Sequence, residues 1–172
     1  MASPYHTYAV TSVTKALHTL KSILQLAESH ANETNTPLDT LFNARIHEDM
    51  KPLSFQIFAA TGNAERTLFR PRGLELPARE QTDTSFADLY ARIDTTLAEI
   101  AKADAAQFAA NEERAFKAPL GPAEVEFTPH SYAVNFALPN VFFHVVTAYN
   151  ILRKEGVPLG KMSYLKNFLE LA

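Results

Sequence analysis

The chain has no cysteine, no tryptophan and only five glycines among its 172 residues. Without cysteine there can be no disulfide, thiolate zinc site, iron–sulfur cluster or cysteine nucleophile. Five glycines provide no phosphate-cradling loop, and no G-x-G-x-x-G, Walker, G-x-S-x-G or H-E-x-x-H pattern occurs. No sign of charge dominates: 16 Lys and Arg face 19 Asp and Glu, a formal net charge of −3. Such a surface has no general attraction for nucleic acid or anionic lipid. Long apolar runs are also missing. The most apolar stretch, Tyr132 to Leu152, is interrupted by Asn135, Pro139, Asn140, His144 and Asn150, and reads as a buried helix rather than a membrane span. The first residues, Met1 to Tyr8, show no cationic head followed by an apolar run, so no secretory signal is read and a cytoplasmic address is expected.

What remains is helical periodicity over one domain, residues 1–172. Ser3-Pro4 starts a first helix whose apolar residues Val10, Val13, Leu17, Leu20, Leu24 and Ala27 recur at three- and four-residue steps to about His30. A polar connector, Asn32 to Thr36, precedes a short piece opened by Thr36-Pro37. Asp49 is read as the cap of a second long helix carrying Met50, Leu53, Ile57 and Ala60, with Pro52 in its first turn and Arg70-Pro71-Arg72-Gly73 at its end. After a loop, Thr84 or Ser85 caps a third helix with Phe86, Leu89, Ile93, Leu97 and Ile100 on its apolar face and an Asp88–Arg92 pair outside. Asp104 to Glu113 adds a helical turn.

The period then switches. Val125 and Phe127 alternate with Glu124, Glu126 and Thr128, and Leu120-Gly121-Pro122 supplies a turn, so 114–128 reads as a β-hairpin. Thr128-Pro129 caps a fourth long helix that runs to about Glu155, where Gly156 and Pro158 stop it. Ser163 to Leu171 is expected to form a short terminal helix. The fold class is all-α: an antiparallel four-helix bundle with a small hairpin before its last long helix.

The fourth helix carries the one informative polar feature. Asn140, His144 and Thr147 share a face of an otherwise apolar helix, and Asp49, Gln56 and Asn63, seven apart, form a matching stripe on the second. Buried polar groups must pair with one another or open onto a pocket. Both readings stand, with a metal site as a third. Pro139 is expected to kink the helix and free the Asn135 carbonyl beside the stripe. Of the other imidazoles, His18 and His30 are expected in solvent and His47 in a hinge beside Glu48 and Asp49. His130 is placed in solvent or at a pocket mouth with Tyr132, and His6 near a mobile terminus.

The segment Phe136-Ala-Leu-Pro-Asn-Val-Phe-Phe-His-Val-Val-Thr-Ala-Tyr-Asn-Ile-Leu-Arg, followed by Gly156-Val-Pro-Leu-Gly160, resembles the C-terminal signature of domain-of-unknown-function family nineteen-ninety-three. Asn43-Ala-Arg, Asp49-Met50, Pro52-Leu53 and Gln56 resemble its helix-two signature, in the same order. The resemblance implies a relation to the DinB-like, or YfiT-like, metalloenzyme bundles, whose members typically hold a divalent metal with one His on helix two and an H-x-x-x-H pair on helix four. Here Gln56 and Asn140 stand where imidazoles would be, and amides are poor ligands for first-row metals. No metal and no cofactor is therefore expected.

The function expected is a cofactor-independent isomerase, cyclase or hydrolase acting on a small molecule. His144 is the catalytic proton shuttle, and Asp49, Gln56 and Asn140 bind or orient the substrate. The alternatives are a non-catalytic binding or homodimerising module, suggested by the aromatics Phe55, Phe58, Phe142 and Phe143, or a degenerate DinB-like metal-binding protein.

Overall fold

The computed structural model describes residues 3–170. Helical structure opens at Pro4, with the Ser3 hydroxyl accepting the His6 N–H as a cap. A π-helical turn, His6–Val10, leads into α1, Thr11–Thr34. The helix thus continues one turn beyond His30, through the residues expected as a connector, and stops where Asn35 adopts a left-handed conformation at φ 54°. The remaining helices are α2 (Leu38–Asn43), α3 (Leu53–Phe69), α4 (Phe86–Ala101), α5 (Ala105–Ala109), α6 (Pro129–Tyr132), α7 (Leu138–Lys154) and α8 (Lys161–Leu165). The last is shorter than expected, and Leu171, its expected end, lies outside the described residues.

Two local expectations are corrected. Pro52, not Asp49, occupies the N-cap of α3, because proline's fixed φ and extended ψ set the entry to Leu53. Asp49 stays in the exposed connector, bonded to His47 at 2.8 Å. Nor does Asp88 pair with Arg92. Its carboxylate accepts the Thr84 and Ser85 amides and closes a capping box, while Arg92 turns to Asp83 at 2.8 Å. A carboxylate that satisfies orphan helix donors gains more there than from an exposed i,i+4 partner.

The four long helices close a ring. α7 packs most extensively on α3 and next on α1, α4 closes against α3 and α1, and α1 and α3 lie diagonally opposite with little contact. α2 and the connector to Pro52 carry the chain across that diagonal. Inside, Leu17, Leu20, Ile23, Ile57, Leu68, Leu89, Val145 and Ile151 are fully buried. At roughly 1.5–3 kcal/mol per fully buried aliphatic side chain, this core dominates stability.

The hairpin forms in the expected place. β1 (Phe116–Leu120) pairs antiparallel with β2 (Ala123–Phe127) through a Gly121-Pro122 turn, with Gly121 at φ 61°. Phe116 and Phe127 pack edge-on against the buried Tyr132 ring, and Arg70 donates to the Tyr132 hydroxyl at 3.1 Å, which ties the hairpin to the end of α3. Between α6 and α7 the helix widens into a π-turn, Ala133–Ala137, just ahead of Pro139. Pro139 has no N–H to continue the ladder, and the looser turn before it relieves the clash. Among the described residues no helix is long and apolar enough to cross a membrane.

Candidate functional site

The seam between α3 and α7 is where polar side chains enter the bundle. Gln56 is fixed first: its Nε2 donates to the Lys51 carbonyl at 3.0 Å, which points Oε1 towards α7. His144 Nδ1 lies 2.8 Å from that oxygen. A carbonyl oxygen only accepts, so Nδ1 must carry the proton, and the neutral ring keeps its lone pair on Nε2. Among the described residues Nε2 has no hydrogen-bond partner. The imidazole is half-buried and set edge-on to Phe55, 6.2 Å between ring centres. Burial favours the neutral form and lowers its pKa below the usual 6.5. At neutral pH His144 is therefore a free base with its open nitrogen known.

Two turns along α3, Asn63 Nδ2 donates to Asn140 Oδ1 at 3.3 Å and to the Ala59 carbonyl at 2.9 Å. Asn63 Oδ1 in turn accepts Arg66 Nη1 at 3.3 Å. Gln56, Asn63, Asn140 and His144 thus belong to one polar seam, as their spacing suggested. Two members of the expected stripes do not join it. Asp49 lies outside the helix, and the Thr147 hydroxyl is turned back to the Phe143 carbonyl at 2.7 Å.

Beside the seam lies a cavity of about 460 Å³, bordered by Asn63, Asn140 and His144. Its floor is a single stripe of α3, Phe55, Phe58, Ala59, Gly62 and Arg66, and its rim is the irregular segment 74–84 through Leu76, Pro77 and Arg79. Sequence spacing did not reveal Arg79. It reaches from this rim to Glu65 at 2.5 Å and to the Thr61 hydroxyl at 2.9 Å, and stacks over Phe58 at 5.6 Å. The ion pair is nearly enclosed, yet among the described residues Arg79 Nε has no hydrogen-bond partner. Gly62 and Arg66 were also unmarked, although a glycine inside a helical run was a usable signal.

The remaining imidazoles lie elsewhere. His130 is exposed and 3.0 Å from the Tyr8 hydroxyl, His47 is exposed, and His18 faces solvent. His30 is half-buried rather than solvated, and His6 packs against Phe108 at 5.7 Å rather than hanging free.

A divalent metal at the seam would have Gln56, Asn140 and His144 as its donors. The two amide oxygens each already face a hydrogen-bond donor, and one imidazole remains. Among the described residues no three His, Asp or Glu side chains gather as a metal-binding group. These residues do not fit a first-row ion.

A four-helix ring with a polar seam between its second and last long helices, and a hairpin ahead of the last, defines a DinB-like bundle. The crystal structure of a DinB family member from Shewanella denitrificans has this fold: TM-score 0.85 and 31% identity, covering 94% of this chain and 90% of that one. The family profile described as domain of unknown function DUF1993 matches residues 5–165, and the chain belongs to that family. No curated protein matches it.

Proposed function

We propose that the α3–α7 cavity binds a small molecule and that His144 Nε2 takes and returns a proton on it. The reaction would be a cofactor-independent isomerisation, cyclisation or hydrolysis. One observation carries the reading: an imidazole locked in a single tautomer by Gln56, with its basic nitrogen unpartnered, on the wall of a cavity of ligand size. Asn140 lies beside it, with its own amide Nδ2 able to donate to a substrate oxygen. Asp49, in the exposed connector, is not among the residues that border this cavity, so the reading assigns it no contact with the ligand.

The test is turnover of a panel of small carbonyl and ester compounds followed by NMR. The native chain should convert at least one, and His144→Gln should slow that conversion by about 10²–10⁴-fold at unchanged fold, the usual range for a general acid–base group. Full activity in His144→Gln overturns the role.

A second reading has its own support. Phe143 and Val146 stand 59% and 40% exposed on α7 next to His144. Their apolar area suits a second copy of the chain, which makes a homodimer the non-catalytic alternative. Sedimentation of the native chain against Phe143→Glu tests it, and a monomer in both removes it.

A further inference from the structure

The cavity's charges do not balance. Arg79 is neutralised by Glu65 at 2.5 Å, and Arg92, beside the same Phe58 ring, by Asp83 at 2.8 Å. Arg66 is half-buried on the cavity floor, and among the described residues no carboxylate comes within ion-pair distance of it. Among the described residues its side chain bonds only to the neutral Asn63 oxygen. A partly desolvated guanidinium without a counter-charge is costly unless an anion arrives. Gly62 adds to this. It lies inside α3 at ordinary helical dihedrals, where glycine weakens a helix by roughly 0.5–1 kcal/mol relative to alanine. A Cβ there would occupy space 3.4 Å from Arg66 Nη1 and 3.7 Å from Arg79 Nε, so the missing side chain leaves bare helix backbone under the two guanidinium groups.

The rest of the stripe is apolar. From Gly62 back to Gln56, where His144 is held, is six residues of helix, roughly 9 Å at 1.5 Å per residue. Phe55 and Phe58 cover that distance, with Leu76 and Pro77 opposite. We infer that the cavity takes an elongated amphiphilic anion, its carboxylate or phosphate head on Arg66 above Gly62 and its apolar body along Phe55 and Phe58 towards His144. This rests on the cavity being a small-molecule site, though not on His144 being catalytic. It fixes the class of ligand and its direction: the end remote from the charge is the end presented to the imidazole.

The experiment is an NMR titration of the full chain with 4-phenylbutyrate, phenyl phosphate and 4-phenyl-1-butanol. The Gly62 amide, Arg66 Nε–H and His144 ring signals are followed. At least one anion should shift the Gly62 and Arg66 signals saturably, and the alcohol should bind about tenfold more weakly or worse, the worth of a charge-assisted bond. Arg66→Gln should weaken the anion by about tenfold or more, Arg66→Lys should recover part of the loss, and Lys166→Gln, which removes a remote exposed charge, should change nothing. The tighter of the two anions tells a carboxylic acid from a phosphate ester. Equal affinity for alcohol and anions, or an unchanged Arg66→Gln, overturns the inference. If the alcohol still shifts His144 in that case, the small-molecule reading survives alone. If no probe perturbs the cavity signals, the ligand class inferred is wrong, while the His144 turnover assay remains a separate judgement.

Discussion

Two faces of α7, separated by a single residue step, are built on opposite terms. Val141, Val145, Ala148 and Ile151 are wholly buried against apolar neighbours, with no polar atom to satisfy. Asn140 and His144, each one position earlier, are half-buried, bonded to amides of α3 and bordered by open volume. The first face is filled as densely as a core allows, which is how a helix contributes stability. The second forgoes packing that a leucine pair would provide, and such local losses are characteristic of functional surfaces. Helix α3 repeats the contrast, with Leu53, Ile57, Ala60 and Leu68 inward and Phe55, Gly62 and Arg66 on the cavity.

The contrast breaks most sharply in stability measurements. Ile151→Ala removes a fully buried side chain and should cost about 2–5 kcal/mol in denaturant unfolding. His144→Ala should cost only about 0.5–1.5 kcal/mol, the net worth of one part-exposed hydrogen bond and its ring contact. Equal losses would mean that the two faces are one core.

Arg79→Ala comes next. It leaves Glu65 nearly enclosed, with the Thr96 hydroxyl at 3.3 Å as its remaining partner. The loss should be about 1–3 kcal/mol in the same unfolding assay, below that of a fully buried pair because both side chains retain some solvent. Glu65→Gln with Arg79→Ala should recover part of it. No recovery would show that Arg79 acts through Phe58 rather than through charge.

Acidification is a finer probe. Burial lowers the His144 pKa in the folded chain, so between that value and 6.5 the unfolded chain binds more protons. The contribution is therefore complete above pH 6.5 and is lost as pH falls through the lowered value. Unfolding free energy against pH should slope downward below 6.5 in the native chain and more gently in His144→Gln. Parallel slopes would assign the acid sensitivity to other groups.

Much of this was legible in the sequence, for physical reasons. Proline and hydroxyl caps at Ser3-Pro4, Ser85 and Thr128-Pro129, with apolar steps of three and four, mark the long helices, and the switch to alternation at Val125 and Phe127 marks the hairpin. Gln56, Asn63, Asn140 and His144 were legible as stripes because helical spacing alone decides which side chains share a face. Asp49 was misplaced because an acid before an apolar run resembles a cap, while Pro52, three residues on, holds the entry. Arg79 was out of reach altogether. It comes from the irregular segment 74–84, and no period links such a segment to the helix it crosses. The cavity therefore has one wall, Asn63, Asn140 and His144, that helical spacing marks, a floor whose Gly62 and Arg66 carried no such mark, and a rim that only the fold supplies.

Gly62 gives the smallest effect and the most direct link between the two faces. On the packed side a glycine-to-alanine change would have to displace a neighbour, but here the nearest atoms to an added Cβ are Arg66 Nη1 at 3.4 Å and Arg79 Nε at 3.7 Å, ordinary contact distances. Its backbone needs no positive φ, so alanine fits without strain. Gly62→Ala should therefore stabilise the chain by about 0.5–1 kcal/mol in thermal or denaturant unfolding, through helix propensity alone. The same methyl group covers the backbone between the two guanidinium groups and should weaken binding of an anionic probe there. Stability gained together with affinity lost is the pattern of a position kept open for a ligand. Stability lost would instead show that α3 is already close-packed at this point, and the cavity face would then obey the same terms as the core.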